Sequence, residues 1–183
     1  MNIHVVTPFS RFHLETVLLD HLRPFNIQWH PITNGAQSLV TQEPWVHSFV
    51  YDTPEVFDIC YEKLNGWLST YPLIDDDYYC FMCDDDGYTL NFFDQLRECT
   101  HSVVFVTTRG EGFQMCACPS NSRVGGSGLR SYAVKGTIAK TMRFNEGNHA
   151  ADGQMTQHLY ATVADHVFRP DMIVDYNMFE IKG

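Results

Sequence analysis

The sequence predicts an α/β domain built on a parallel or mixed sheet with helices on both faces, and three observations point there. Strand-like and helix-like patterns alternate through the first half of the chain. Tyr78 to Cys83 is an unbroken, largely apolar run with aromatic content, as in a strand covered on both faces. That run passes directly into Asp84-Asp85-Asp86-Gly87, placing carboxylates at the strand's carboxyl end. Open α/β sheets bind their ligands at that end.

The elements follow in order. Asn2 to Thr7 reads as a strand closed by the turn Pro8-Phe9-Ser10. Ser10 can cap a helix that carries Leu14, Val17, Leu18 and Leu22 on one face and stops at Pro24. Asn26 to Ile32 is a second strand, Thr33 to Pro44 a polar loop, and Val46 to Tyr51 a third strand closed by Asp52. Thr53 and Pro54 open a helix whose apolar stripe runs through Val56, Phe57, Cys60, Tyr61, Leu64, Trp67 and Leu68. After the central strand come a helix over Phe92 to Glu98 and a strand over Val103 to Thr108. Alternation at Phe113, Met115 and Ala117 predicts a hairpin across Arg109-Gly110. Ser120 to Ser127 is a Gly- and Ser-rich surface loop, and Tyr132 to Lys135 a short strand. Asp152 opens a last helix with Met155, Leu159, Thr162 and Val163 inward. His166 to Arg169 and Met172 to Val174 are short extended pieces, so the second half reads as more irregular than the first.

At 183 residues the chain is expected to be one domain, with 44% apolar and 19% charged residues. A net charge of −10 argues against nucleic acid or an anionic membrane as the main partner. No run approaches the length of a membrane span, and no secretory leader opens the chain, so an integral membrane segment is not expected and a cytoplasmic location is.

The acidic triplet is the main chemical constellation. On an extended or turning backbone Asp84 and Asp86 point the same way and can share one ligand. Hard carboxylate oxygens suit Mg²⁺ or Mn²⁺, which in turn hold substrate phosphates. A solvated Asp-Gly turn is the plainer reading, and the second triplet, Asp75 to Asp77, shows how readily such runs arise. Asp152 reads from spacing as a helix cap. Thr7, Pro8 and Arg11, at the end of the first strand, and Asp52, at the end of the third, could touch a nucleotide. Arg11 reads equally as an exposed helix residue, and Asp52 as helix N-terminal support. Cys80-x-x-Cys83 and Cys116-x-Cys118 raise a structural zinc module, but positions three apart on a strand face opposite ways.

The order strand, Thr7-Pro8-Phe9-Ser10 turn, helix, strand, strand, helix, strand and Asp84-Asp85-Asp86-Gly87 resembles GT-A glycosyltransferases, closest to the family 2 type. The resemblance implies a single GT-A-like domain over 1–183, with a nucleotide-binding half at 1–90 and an acceptor-side half at 91–183. It implies transfer of a sugar from a nucleotide-sugar donor to an acceptor hydroxyl, with Mn²⁺ or Mg²⁺ as cofactor. By that likeness Asp84 lies near the donor ribose and Asp86 binds the metal. Asp152, at the head of Ala151 to Tyr176, matches the general base of an inverting reaction. The loop at Ser120 to Leu129 would then close over the site. A non-catalytic domain that binds nucleotides or glycans, and a nucleotidyltransferase using the same metal site, are the alternative readings.

Overall fold

The computed structural model describes residues 1–35, 39–51, 60–116, 128–148 and 150–179. The chain opens with strand β1 (Ile3–Pro8), a 3₁₀ turn at Phe12–Leu14 and helix α1 (Glu15–Leu22). Strands β2 (Gln28–Asn34) and β3 (Phe49–Tyr51) precede α2 (Cys60–Thr70), β4 (Tyr78–Phe81) and the short β5 (Gly87–Tyr88). Then come α3 (Phe92–Arg97), β6 (Val103–Gly110), β7 (Phe113–Cys116) and a 3₁₀ turn at Leu129–Ser131. Strand β8 (Tyr132–Lys135), α4 (Gly136–Ala139), α5 (Ala151–Thr162) and β9 (His166–Asp175) complete the described chain.

The strands form one mixed sheet in the order β3-β2-β1-β4-β8-β6-β9-β5, with β7 also paired to β6. Strands β1 to β4 are mutually parallel. Strand β8 runs antiparallel between β4 and β6, so β6 and its parallel neighbour β9 point the same way as β4. The carboxyl ends of all six co-directional strands therefore lie along one side. The chain steps outward from β1 through β2 to β3, then returns to place β4 on β1's other flank. The gap between β1 and β4 is thus a topological switch point, where the loops leave in opposite directions and open a crevice.

Side chains alternate across the sheet as the pleat requires. Ile3, Val5, Tyr78, Cys80, Val104 and Val106 pack with α1 and α3 on one face. Val6, Tyr79, Phe81, Val103 and Phe105 pack with α2 and α5 on the other. Both faces are covered, which explains the continuous apolar run of β4.

Several local expectations are corrected. The expected loop at Thr33 begins later, because β2 continues through Asn34. Val46 makes only an isolated bridge to Trp29, and β3 starts at Phe49. Ser10 does not cap α1; a 3₁₀ turn leads into the helix, and Val17 is exposed while Leu19 is buried. Helix α5 begins at Ala151 after an Ala150 N-cap, and its inward threonine is Thr156, not Thr162. The two extended pieces expected at the end are one strand, β9. The Thr53-Pro54 helix start, Asp52, Ala117, Cys118 and the Ser120 to Ser127 loop lie outside the described residues.

Two features at the amino side of the sheet carry predictions. The backbone of Gly136 packs directly on Ile74, so that an added Cβ would collide with the Ile74 carbonyl. Gly136→Ala should lower unfolding stability by roughly 1–3 kcal/mol, read from a urea titration. Beside it, His4 Nδ1 lies 2.9 Å from His30 Nε2, and His4 Nε2 lies 3.2 Å from Asp77 Oδ2. Burial pushes both imidazoles below their ordinary value, His30 to about 2, and does the same to His21. Below about pH 6.5 the unfolded chain takes up protons that the native histidines refuse. Stability should therefore be complete above that pH and fall below it, by up to about 1.4 kcal/mol per pH unit for each histidine. Urea titrations from pH 7.5 downward check this, and His30→Gln should flatten the dependence.

Candidate functional site

A cleft of about 600 Å³ opens at the carboxyl ends of the strands, at the switch point. That volume is in the range of small-molecule sites. Pro8, Ser10 and Arg11 enter it from the end of β1, and Asn34 from the end of β2. Cys83, Asp84 and Asp85 enter from β4, Cys60 and Lys63 from α2, and Asp152 from α5. Arg130, Tyr176 and Asn177 close the remaining side.

The β1 end is shaped by Phe9, whose ring is fully buried and whose N–H donates to the Ile32 carbonyl at 2.8 Å. This leaves Ser10 and Arg11 at the lip. Asp84 Oδ2 accepts from the Ser10 N–H (2.8 Å), the Ser10 hydroxyl (3.0 Å) and the Arg11 N–H (2.8 Å). The carboxylate thus supplies the anion that the free N–H groups of this turn require. One guanidinium nitrogen of Arg11 lies 2.7 Å from Asp84 Oδ1 and 2.8 Å from Asp85 Oδ2. Two carboxylates therefore converge on a single cation position, and Arg11 fills it with a side chain that is 44% exposed.

Asp86 points elsewhere. It is fully buried, accepts from Arg130 at 3.1 Å and from the Cys83 N–H at 3.2 Å, and takes the Asn177 N–H at 3.2 Å on its other oxygen. Burial raises its pKa, with Arg130 opposing. The Arg130 guanidinium lies over the Tyr176 ring, 4.1 Å from its centroid. The expected convergence of Asp84 and Asp86 is replaced by convergence of Asp84 and Asp85, because a turn at Asp84-Asp85 ends the alternation of the strand. Cys83, Asp85 and Asp86 also lie within 4.8 Å of one another. Burial, then the nearby Asp86 carboxylate, pushes the Cys83 thiol well above its ordinary value. A protonated thiol and a carboxylate committed to arginine form a poor set for a hard cation. The oxygens that suit Mg²⁺ or Mn²⁺ are those of Asp84 and Asp85 now gathered around Arg11.

Asp152 sits in the first turn of α5, half-buried on the same cleft. Burial raises its pKa, opposed by a 2.7 Å hydrogen bond from the Gly153 N–H and by the charge of Arg130. It stands two residues past the Ala150 N-cap, and its carboxylate still satisfies one free N–H of the first turn, so the helix-start role holds beside the cleft position.

The remaining candidates separate clearly. Pro8 lines the cleft, whereas Thr7 is buried and its hydroxyl accepts the Trp29 indole N–H at 3.0 Å. Cys80 lies in the core face opposite α2, away from Cys83. Sequence reasoning missed Lys63, Arg130, Asn34 and Tyr176. Lys63 had a signal: it stands three residues after Cys60 and four before Trp67, flush with the apolar face of α2. Arg130 had none, since its partner Asp86 is distant in sequence.

No protein-family model matches this chain, and no curated protein sequence matches it significantly.

Proposed function

We propose that the cleft binds a nucleotide-sugar donor and transfers its sugar to an acceptor hydroxyl, as in the GT-A glycosyltransferases the sequence resembles. The observation that carries this reading is Asp152: a carboxylate with a raised pKa, set in one cleft with the Asp84–Arg11–Asp85 cluster at the sheet's switch point. A general base needs a pKa nearer the working pH than an exposed aspartate has, and burial supplies that shift.

In this reading Asp152 takes the proton of the acceptor hydroxyl. The acceptor oxygen bonds to the anomeric carbon from the side opposite the donor phosphate. The bond from that carbon to the phosphate oxygen breaks, its electron pair leaves with the nucleoside diphosphate, and the configuration inverts. Arg11 and Arg130 present positive charge where negative charge develops. Mn²⁺ or Mg²⁺, when bound, would take the place of the Arg11 guanidinium between Asp84 and Asp85 and would supply Lewis-acid stabilisation of the diphosphate.

One observation favours a non-catalytic nucleotide-binding domain instead. The Asp84 and Asp86 carboxylates are occupied by donors from within the fold, as structural carboxylates are. A product assay separates the readings. Purified protein is incubated with Mn²⁺ and either nucleotide sugars with glycan acceptors or nucleoside triphosphates with sugar phosphates, and nucleoside diphosphate, glycoside and pyrophosphate are measured. Equal release of nucleoside diphosphate and glycoside supports transfer. Binding without turnover supports the non-catalytic domain, and release of pyrophosphate from a nucleoside triphosphate supports a nucleotidyltransferase.

A further inference from the structure

Lys63 is 5% exposed, on the face of α2 that forms the cleft wall. Among the described residues it has no hydrogen bond or ion pair; Cys60 and then Asp84 act on it electrostatically, and Asp84 is already bonded to Ser10 and Arg11. The stem of Lys63 is packed in the fold while its ammonium opens on the cleft, and partial burial pushes its pKa down. Across the same cleft, Arg130 spends one guanidinium nitrogen on Asp86 while its Nε is buried with no partner. The stacking on Tyr176 fixes the plane of that guanidinium. The cleft thus contains two cations, each with donors that nothing in the described fold uses.

We propose that Lys63 and Arg130 form an anion seat that binds the diphosphate of the donor directly, without requiring a metal. Phosphate oxygens offer acceptors to the Lys63 ammonium and to the guanidinium edge of Arg130 that Asp86 does not occupy. Arg130 positions a planar donor, whereas Lys63 supplies a compact charge from the opposite wall. The proposal rests on the cleft being a nucleotide-diphosphate site, and inorganic pyrophosphate is therefore the probe, so that the two can fail separately.

The test is calorimetric titration of pyrophosphate into the protein in EDTA, with wild type, Lys63→Gln, Lys63→Met and Lys63→Arg. Wild type is expected to bind, and Gln and Met to weaken binding at least about tenfold, the loss of one charge-assisted hydrogen bond. Arg should retain most of the affinity. Unchanged pyrophosphate affinity in the neutral variants overturns the proposal. So does a wild type that binds nucleoside diphosphates with Mn²⁺ but no pyrophosphate in EDTA, which leaves the donor reading intact. Pyrophosphate binding lost with Lys63, but unaccompanied by any nucleoside diphosphate binding, would keep the seat and reject the donor.

Discussion

Asp152→Asn should leave donor binding intact and slow sugar transfer by at least about a hundredfold. Asparagine preserves the shape of the side chain and can still accept the Gly153 N–H, but it cannot remove a proton. The same substitution should raise stability at neutral pH. Burial disfavours the charged form of Asp152, so its folded pKa lies above the unfolded one. The fold therefore gains from protonation of this group, and its penalty is fullest once pH exceeds the raised value. Stability gained together with loss of transfer is the result expected if function holds Asp152 in an unfavourable environment. Unchanged transfer in the variant would remove Asp152 from the chemistry. The acid limb of the wild-type pH profile should also fall above the ordinary aspartate range.

The second large effect concerns the fold around the acidic turn. Arg130→Leu leaves the Asp86 carboxylate fully buried with two backbone N–H donors and no cation. Breaking one side of such a pair should lower stability by about 3–5 kcal/mol at pH 7. The loss should shrink on acidification, because Asp86 already has a raised pKa and neutralises early once Arg130 is gone. Adding Asp86→Asn to Arg130→Leu should recover much of the difference. Urea midpoints for the two single variants and the double variant measure the coupling. Additive losses would show that the pair does not hold this turn together.

The strands and helices that position the cleft were legible because their patterns are local. The Tyr78 to Phe81 run announces a strand covered on both faces, and the turn after β1 announces the β1–α1 boundary. What escaped was set by distant pairings. The sequence of β9 contains Pro170, which suggests a break, since proline cannot donate to a ladder. The strand instead continues past it with a register shift opposite Val106 and Thr107, and the Thr107 hydroxyl donates to the Pro170 carbonyl at 3.1 Å. The same holds at the site. Asp84, Asp85 and Asp152 were visible as acids near element ends, but their division of labour was not. Asp84 and Asp86 carry the same side chain, yet one caps the β1–α1 turn and the other balances Arg130, from beyond β7. Lys63 was legible only as a charge misplaced on an apolar stripe, a signal that gains meaning once the cleft is seen above it.

Whether the cleft takes a nucleoside diphosphate is decided by a thermal-unfolding screen of nucleoside diphosphates and nucleotide sugars, with and without Mn²⁺. A ligand at a hundredfold excess over its dissociation constant should stabilise the protein by about 2.7 kcal/mol. At least one nucleoside diphosphate and its sugar conjugate should raise the unfolding temperature of wild type. The rise should be smaller in Lys63→Gln and undiminished in Asp75→Ala, whose carboxylate is exposed on the opposite side of the sheet. A screen in which no nucleotide shifts wild type, or in which Asp75→Ala and Lys63→Gln lose the shift equally, would contradict a nucleotide-diphosphate site in this cleft.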